Sequence, residues 1–143
     1  MITIHTDGAC FGNPGPMGIG IVIYKGKKKI RELSEYIGHG TNNIAEYTAL
    51  IRALEIMEEL GEKEALIHTD SELLAKQING EYRVKDRKLK LLNARVDSLL
   101  TGMKVKVQHV RREKNEEADE LSKAAIKGHE KDKKDGKQCL LCV

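Results

Sequence analysis

Four carboxylates, Asp7, Glu46, Asp70 and Asp119, are the residues through which this sequence could do chemistry. Asp7 closes the apolar, β-branched run Met1-Ile-Thr-Ile-His-Thr-Asp7, and Gly12, Pro14, Gly15 and Pro16 follow soon after it. Such residues turn a chain sharply. The ending His-Thr-Asp recurs at 68–70. A lone aspartate at a strand end is most often a turn former, so Asp7 gains meaning only from the other three acids. Carboxylates brought to one place raise one another's pKa and cost stability. A hard divalent cation, Mg²⁺ or Mn²⁺, removes the conflict. Two such ions about 4 Å apart clamp the attacking and leaving oxygens of a phosphodiester in an in-line displacement. No Cys/His set favours zinc catalysis, no Ser-His-Asp arrangement is evident, and no glycine–lysine phosphate loop is present.

The elements that must position these acids follow from periodicity. Residues 1–7 read as a first strand, 18–24 as a second, and 29–37 as a third after the hairpin Lys25-Gly-Lys27. Thr41 and Asn42 are good helix caps. Beyond them Ile44, Tyr47, Ile51, Leu54 and Met57 recur at helical spacing up to Gly61. Glu46 therefore falls in a first helical turn. Residues 64–70 form a fourth strand. Strand, long helix, strand is a crossover unit, so the first and fourth strands should be parallel. Their carboxyl ends then lie on one edge of the sheet, where open α/β sheets bind ligands. Asp7 and Asp70 both reach that edge. Ser71 can cap a short helix to Ile78, and residues 86–100 form another helix. Residues 103–110 alternate as a fifth strand, and Asn115 is placed to cap a last helix that carries Asp119 in its early turns. The order is β-β-β-α-β-α-α-β-α, an α/β fold with a five-stranded mixed sheet and helices on its faces.

The chain has 143 residues, with 40% hydrophobic and 33% charged, which suits one soluble domain with one sizeable core. Its apolar runs are too short to span a bilayer and no leader precedes the first strand, so a cytoplasmic protein is expected. The net charge of +3 is a weak bias. Locally, Arg83, Lys85, Arg87, Lys88, Lys90 and Arg95 stand against Asp86, a patch of the kind that meets phosphates or forms a solvated helix face. The domain is expected to end at residue 127, with 128–143 a polar, Lys-rich tail. Cys139 and Cys142 close that tail. They read as an incidental pair, or as one partner of a disulfide back to the body.

Taken together, four pieces resemble type 1 ribonuclease H: Asp7-Gly-Ala-Cys-Phe-Gly-Asn-Pro-Gly-Pro16, Thr41-Asn-Asn-Ile-Ala-Glu46, His68-Thr-Asp-Ser71 and Asn115-Glu-Glu-Ala-Asp119. The resemblance spans residues 1–127, and each piece falls on the element where that fold needs it. It implies a ribonuclease H-like fold and an endonuclease that cuts the RNA strand of RNA/DNA hybrids. The products would carry 5′-phosphate and 3′-hydroxyl ends, and two Mg²⁺ ions, or Mn²⁺ in their place, would be held by Asp7, Glu46, Asp70 and Asp119. It also implies substrate contacts at Cys10, Asn13, Asn42 and Asn43 along the minor groove and backbone, at Thr41 near a DNA phosphate, and at Ser71 in the substrate channel. Asparagine suits such contacts because its amide both donates to and accepts from a 2′-hydroxyl or base edge.

Three departures from the family pattern stand out. Glu72 occupies a position where glutamine is common. The loop Val110-Arg-Arg-Glu-Lys-Asn115 is short and lacks the usual histidine, leaving Arg112, Glu113 and Lys114 as its candidates. The basic protrusion is missing, with Tyr82-Arg-Val-Lys-Asp-Arg-Lys88 as its nearest substitute. A monomer acting on a hybrid, without a membrane, is expected. The competing readings are a broader activity that includes double-stranded RNA, a DNA-acting resolvase or transposase of the same fold, and a non-catalytic nucleic-acid binding module.

Overall fold

The computed structural model describes residues 1–134. The chain runs β1 (Ile2–Cys10), β2 (Gly15–Lys25), β3 (Lys28–Gly40), α1 (Asn42–Leu60), β4 (Glu64–Thr69), α2 (Glu72–Ile78), α3 (Arg87–Leu100), β5 (Lys104–His109), one 3-10 turn (Arg112–Lys114) and α4 (Glu116–Lys134). The five strands form one sheet in the order β3-β2-β1-β4-β5. β1–β2 and β2–β3 pair antiparallel, whereas β1–β4 and β4–β5 pair parallel. This is the expected order and the expected crossover.

The two faces of the sheet have different jobs. Ile2, Ile4, Ile21, Ile23 and Ile67 point to one side, where they bury completely against Leu50, Leu54 and Met57 of α1. Full burial of each such side chain is worth about 1.5–3 kcal/mol, so this face is the hydrophobic core. The alternate residues His5, Asp7, His68 and Asp70 point to the other side, which α4 covers over β1 and β2. Glycines allow that cover to lie close. A Cβ at Gly20, the cross-strand partner of Asp7, would stand 2.1 Å from the Ala118 carbonyl oxygen. Asp7 and Asp70 thus sit on the polar face, under one end of α4, and stay out of the core.

Three expectations need correction. β1 does not end at Asp7. It continues to Cys10 because β2 keeps pairing with it as far as Cys10↔Met17, and only its pairing with β4 stops at Thr6↔Thr69. Asp7 is therefore inside a strand, at the point where one neighbour leaves. Asn115 is not a side-chain cap of α4. Its Nδ2 donates to the Thr6 carbonyl at 2.8 Å and its Oδ1 lies 3.3 Å from His5 Nδ1, so its amide ties the helix start to β1. Finally, α4 does not give way to an aperiodic tail at 128 but continues to Lys134. Lys and Glu are good helix formers without any apolar stripe, and His129 stacks on Tyr36 of β3 with ring centroids 3.6 Å apart. Cys139 and Cys142 lie outside the described residues.

Candidate active site

The site begins where β4 leaves β1. The residues after the last parallel pair, Asp7 and Asp70, emerge side by side on the α4 face. Glu46 comes from α1, whose start is fixed by Thr41: its Oγ1 accepts the Ile44 N–H at 3.3 Å. The Gly8 N–H donates to Glu46 Oε1 at 2.6 Å. One carboxyl oxygen from each of Asp7, Glu46 and Asp70 lies within 4.8 Å of the others. Asp119 lines the same cleft of about 250 Å³ but stands outside this close trio, with its carboxylate drawn to Lys123 Nζ at 3.0 Å.

Burial shapes the electrostatics. Asp7 is 4% exposed and Glu46 is 6% exposed. Burial pushes the Asp7 carboxyl up from 3.8 to about 8, against a hydrogen bond from Ser122 that lowers it, while the charges of Asp70 and Asp119 add to the rise. Burial also pushes Glu46 well above the usual carboxylate range, with Asp7 and Asp70 reinforcing it and the Gly8 N–H and Arg112 opposing it. Asp70 Oδ2 is buried and accepts no hydrogen bond. Its nearest cation is Arg112, whose Nε stands 3.7 Å away on a side chain that is 73% exposed. A buried carboxylate oxygen without a donor is costly. Asp7, Glu46 and Asp70 face one another with carboxylate oxygens only, a ligand set that fits a hard divalent cation such as Mg²⁺ or Mn²⁺.

Other expected residues divide between this cleft and a neighbouring groove. Cys10 and Asn42 line the acid cleft. Asn13, Thr41 and Asn43 line an adjoining groove of about 510 Å³, closed on its far side by Asp86, Arg87 and Lys88 at the start of α3. The two regions are joined by Asn13, whose Oδ1 accepts the Asn42 N–H at 3.0 Å. Cys10 Sγ lies 3.3 Å from the Gly40 carbonyl oxygen, half-buried and, among the described residues, in no disulfide. Ser71 lines neither region; it caps α2 by accepting the Leu74 N–H at 3.2 Å. Glu72 pairs with Lys76 at 3.1 Å, away from the acids. Glu113 and Lys114 line a separate hollow beside His5, so Arg112 is the loop side chain that reaches the cleft. Arg83, Lys85, Arg87, Lys88 and Lys90 are exposed, and among the described residues none pairs with a carboxylate. Arg95 does not belong with them, because Glu55 holds it at 3.4 Å.

The RNase H family matches residues 1–127. The chain belongs to the RNase H family. Ribonuclease HI of Halobacterium salinarum is 41% identical over 124 residues, which cover 85% of this chain and 62% of that protein. The crystal structure of RNase H1 from the same halophilic archaeon matches with a TM-score of 0.86 at 38% identity, covering 89% of this chain and 98% of that one. LC11-RNase H1, crystallised in complex with an RNA/DNA hybrid, matches with a TM-score of 0.86 at 42% identity, covering 90% and 99%. The chain spans 35% of the length of the mycobacterial proteins it also matches, one of them called Bifunctional protein Rv2228c. The sheet order and four-helix arrangement described above are those of an RNase H fold. Among the described residues, no helix is long and apolar enough to cross a membrane.

Sequence reasoning missed Ser122 and Lys123, which serve the acids rather than join them, and read Asn115 as a helix cap. Ser122 donates to Asp7, Asn115 ties α4 to β1, and Lys123 holds Asp119. A signal did exist for two of them. Ser122 and Lys123 lie three and four residues after Asp119, hence on its side of the helix.

Proposed function

We propose that this RNase H family member is a metal-dependent endonuclease that hydrolyses the RNA strand of RNA/DNA hybrids, leaving 5′-phosphate and 3′-hydroxyl ends. The observation that carries this reading is the trio of carboxyl oxygens from Asp7, Glu46 and Asp70 within 4.8 Å, with Asp70 Oδ2 buried and without a donor. A structural relative bound to an RNA/DNA hybrid supports the choice of substrate. A monomer in the cytoplasm is part of the same reading, and residues 1–127 carry the activity.

Asp7, Glu46 and Asp70 would hold the divalent ions, two Mg²⁺ or Mn²⁺ in their place, with Asp119 completing the set when it leaves Lys123. When bound, these ions supply Lewis-acid activation of the attacking water and neutralise charge at the scissile phosphate. The protein's own residues do the rest. The Gly8 N–H fixes the rotation of Glu46. Arg112, tethered beside Asp70 yet exposed, offers a permanent cation to an incoming phosphate; it cannot serve as a base at neutral pH. Asn42 and Asn43 stand at the α1 N-terminus, and their amides suit the 2′-hydroxyls that distinguish RNA from DNA. Thr41 and Asn13, facing Arg87 and Lys88 across their groove, suit the phosphates of the uncut strand. Ser71 caps the α2 start just after Asp70, and any contact it makes with substrate would come through that helix end.

The test is cleavage of four substrates in Mg²⁺ or Mn²⁺: RNA/DNA hybrid, double-stranded RNA, single-stranded RNA and double-stranded DNA, with Asp7→Asn alongside. Hybrid cleavage that disappears in the variant is the expected result. Binding of the hybrid without cleavage by the unaltered protein would overturn it in favour of a binding module. The double-stranded RNA lane fixes the breadth of the activity.

A further inference from the structure

We infer that Ser122 is a positioning residue of this site, which sets the affinity of the acid cluster for its divalent cation by fixing the carboxylate of Asp7. The inference rests on the metal-dependent reading above and adds a residue outside the four acids.

Ser122 sits on α4 and is completely buried. Its Oγ lies 2.6 Å from Asp7 Oδ2 and 2.8 Å from the backbone carbonyl oxygen of Asp119. One hydroxyl thus bridges the first acid, on β1, and the backbone of the fourth, on α4. The hydroxyl has a single proton and cannot donate to both. A carboxylate is the stronger acceptor, so an ionised Asp7 takes the proton on Oδ2. One of its two oxygens is then committed, and the rotation of the group about its Cβ–Cγ bond is set.

The backbone shows how much must be arranged for this hydrogen bond to exist. Asp7 lies opposite Gly20 in the β1–β2 ladder. A Cβ at Gly20 would stand 2.7 Å from the Ser122 nitrogen, and one at Gly18 would stand 2.3 Å from the Ser122 carbonyl oxygen. Two glycines beneath one turn of helix let the Ser122 backbone settle onto the sheet, within reach of Asp7. A serine merely filling space there would need no hydroxyl, and alanine would pack as well. Groups that hydrogen-bond metal ligands orient them, and their loss typically weakens metal binding by about 10–100-fold.

The experiment is Mn²⁺ binding without substrate, by isothermal titration calorimetry, on the full chain and on Ser122→Ala and Ser122→Cys. The cysteine variant keeps the side-chain shape, slightly enlarged, and replaces the strong donor with a weak one. Circular dichroism reports whether each variant folds. Both folded variants are expected to bind Mn²⁺ about 10-fold more weakly. The Mg²⁺ concentration for half-maximal hybrid cleavage should rise by a similar factor, while the rate at saturating metal changes little. Unchanged Mn²⁺ affinity in either folded variant overturns the inference. So does a loss of maximal rate with no shift in metal dependence. If the unaltered chain binds no Mn²⁺ and cuts no hybrid, the proposed function itself fails, which is a different result from a variant that binds as the parent does.

Discussion

Gly8 and Glu46 touch through the backbone of the strand: the Gly8 N–H donates to Glu46 Oε1 at 2.6 Å, and a Cβ on Gly8 would lie 2.4 Å from the Glu46 nitrogen. The absence of a side chain at residue 8 is therefore what brings the second acid to the first. Gly8→Ala forces α1 away from β1. The expected outcome is a loss of about 1–3 kcal/mol in urea unfolding, typical of overpacking. Cleavage should fall far more than stability does, because the displaced element carries Glu46.

Asp7 and Glu46 make the metal-free protein sensitive to pH. The folded state holds a proton on Asp7 up to about 8, whereas the unfolded chain releases it near 3.8. Between those values the native state binds more protons, so stability is greatest at the acid end and is lost as pH rises through about 8. Burial shifts Glu46 in the same direction. In EDTA, denaturant unfolding should show stability falling from pH 5 to pH 8 by an amount on the order of 3 kcal/mol. Mg²⁺ should flatten that slope, and Asp7→Asn should reduce it while abolishing cleavage.

Arg112 reaches the cleft from an exposed position on the 3-10 turn. Arg112→Ala should lower kcat/KM about tenfold, as expected when one charge-assisted hydrogen bond to substrate is removed, with little change in Tm. The pH profile should keep its shape, because guanidinium does not titrate in the working range. An altered profile would mean that Arg112 acts through a titrating neighbour.

Arg87 and Lys88 close the groove that Asn13, Thr41 and Asn43 open. Replacing both by alanine should raise KM for the hybrid and leave kcat nearly unchanged. The dependence of binding on salt should also weaken, by roughly 0.7–0.9 in the log–log slope for each phosphate that is no longer neutralised. Fluorescence anisotropy with labelled hybrid at several salt concentrations measures it.

Removal of residues 135–143 should leave hybrid cleavage intact, since all four acids and their supports precede them. Removal from residue 128 should instead lower Tm, because it takes away His129 and its stack on Tyr36. Thermal denaturation of the two truncations distinguishes the cases.

The acids could be found in the sequence because strands and helices announce themselves by period. The β-branched run before Asp7, its echo before Asp70 and the helical stripe that starts at Ile44 each fixed an element type, and a crossover fixed the parallel pairing. The resemblance of four short pieces supplied the fold family and the identity of the acids. What the sequence could not carry was distance. That Asp7, Glu46 and Asp70 draw within 4.8 Å while Asp119 turns toward Lys123 depends on how closely α1 and α4 approach the sheet. That approach is set by Gly8, Gly18 and Gly20, residues whose role is to leave room and which give no periodic signal. The extension of α4 past 127 was hidden for a related reason: Lys and Glu favour helix without a stripe, and its anchor, Tyr36, lies far away in sequence. Ser122 and Asn115 likewise met their partners only when β1 and α4 were packed together, since a hydrogen bond across more than a hundred residues leaves no mark in local pattern.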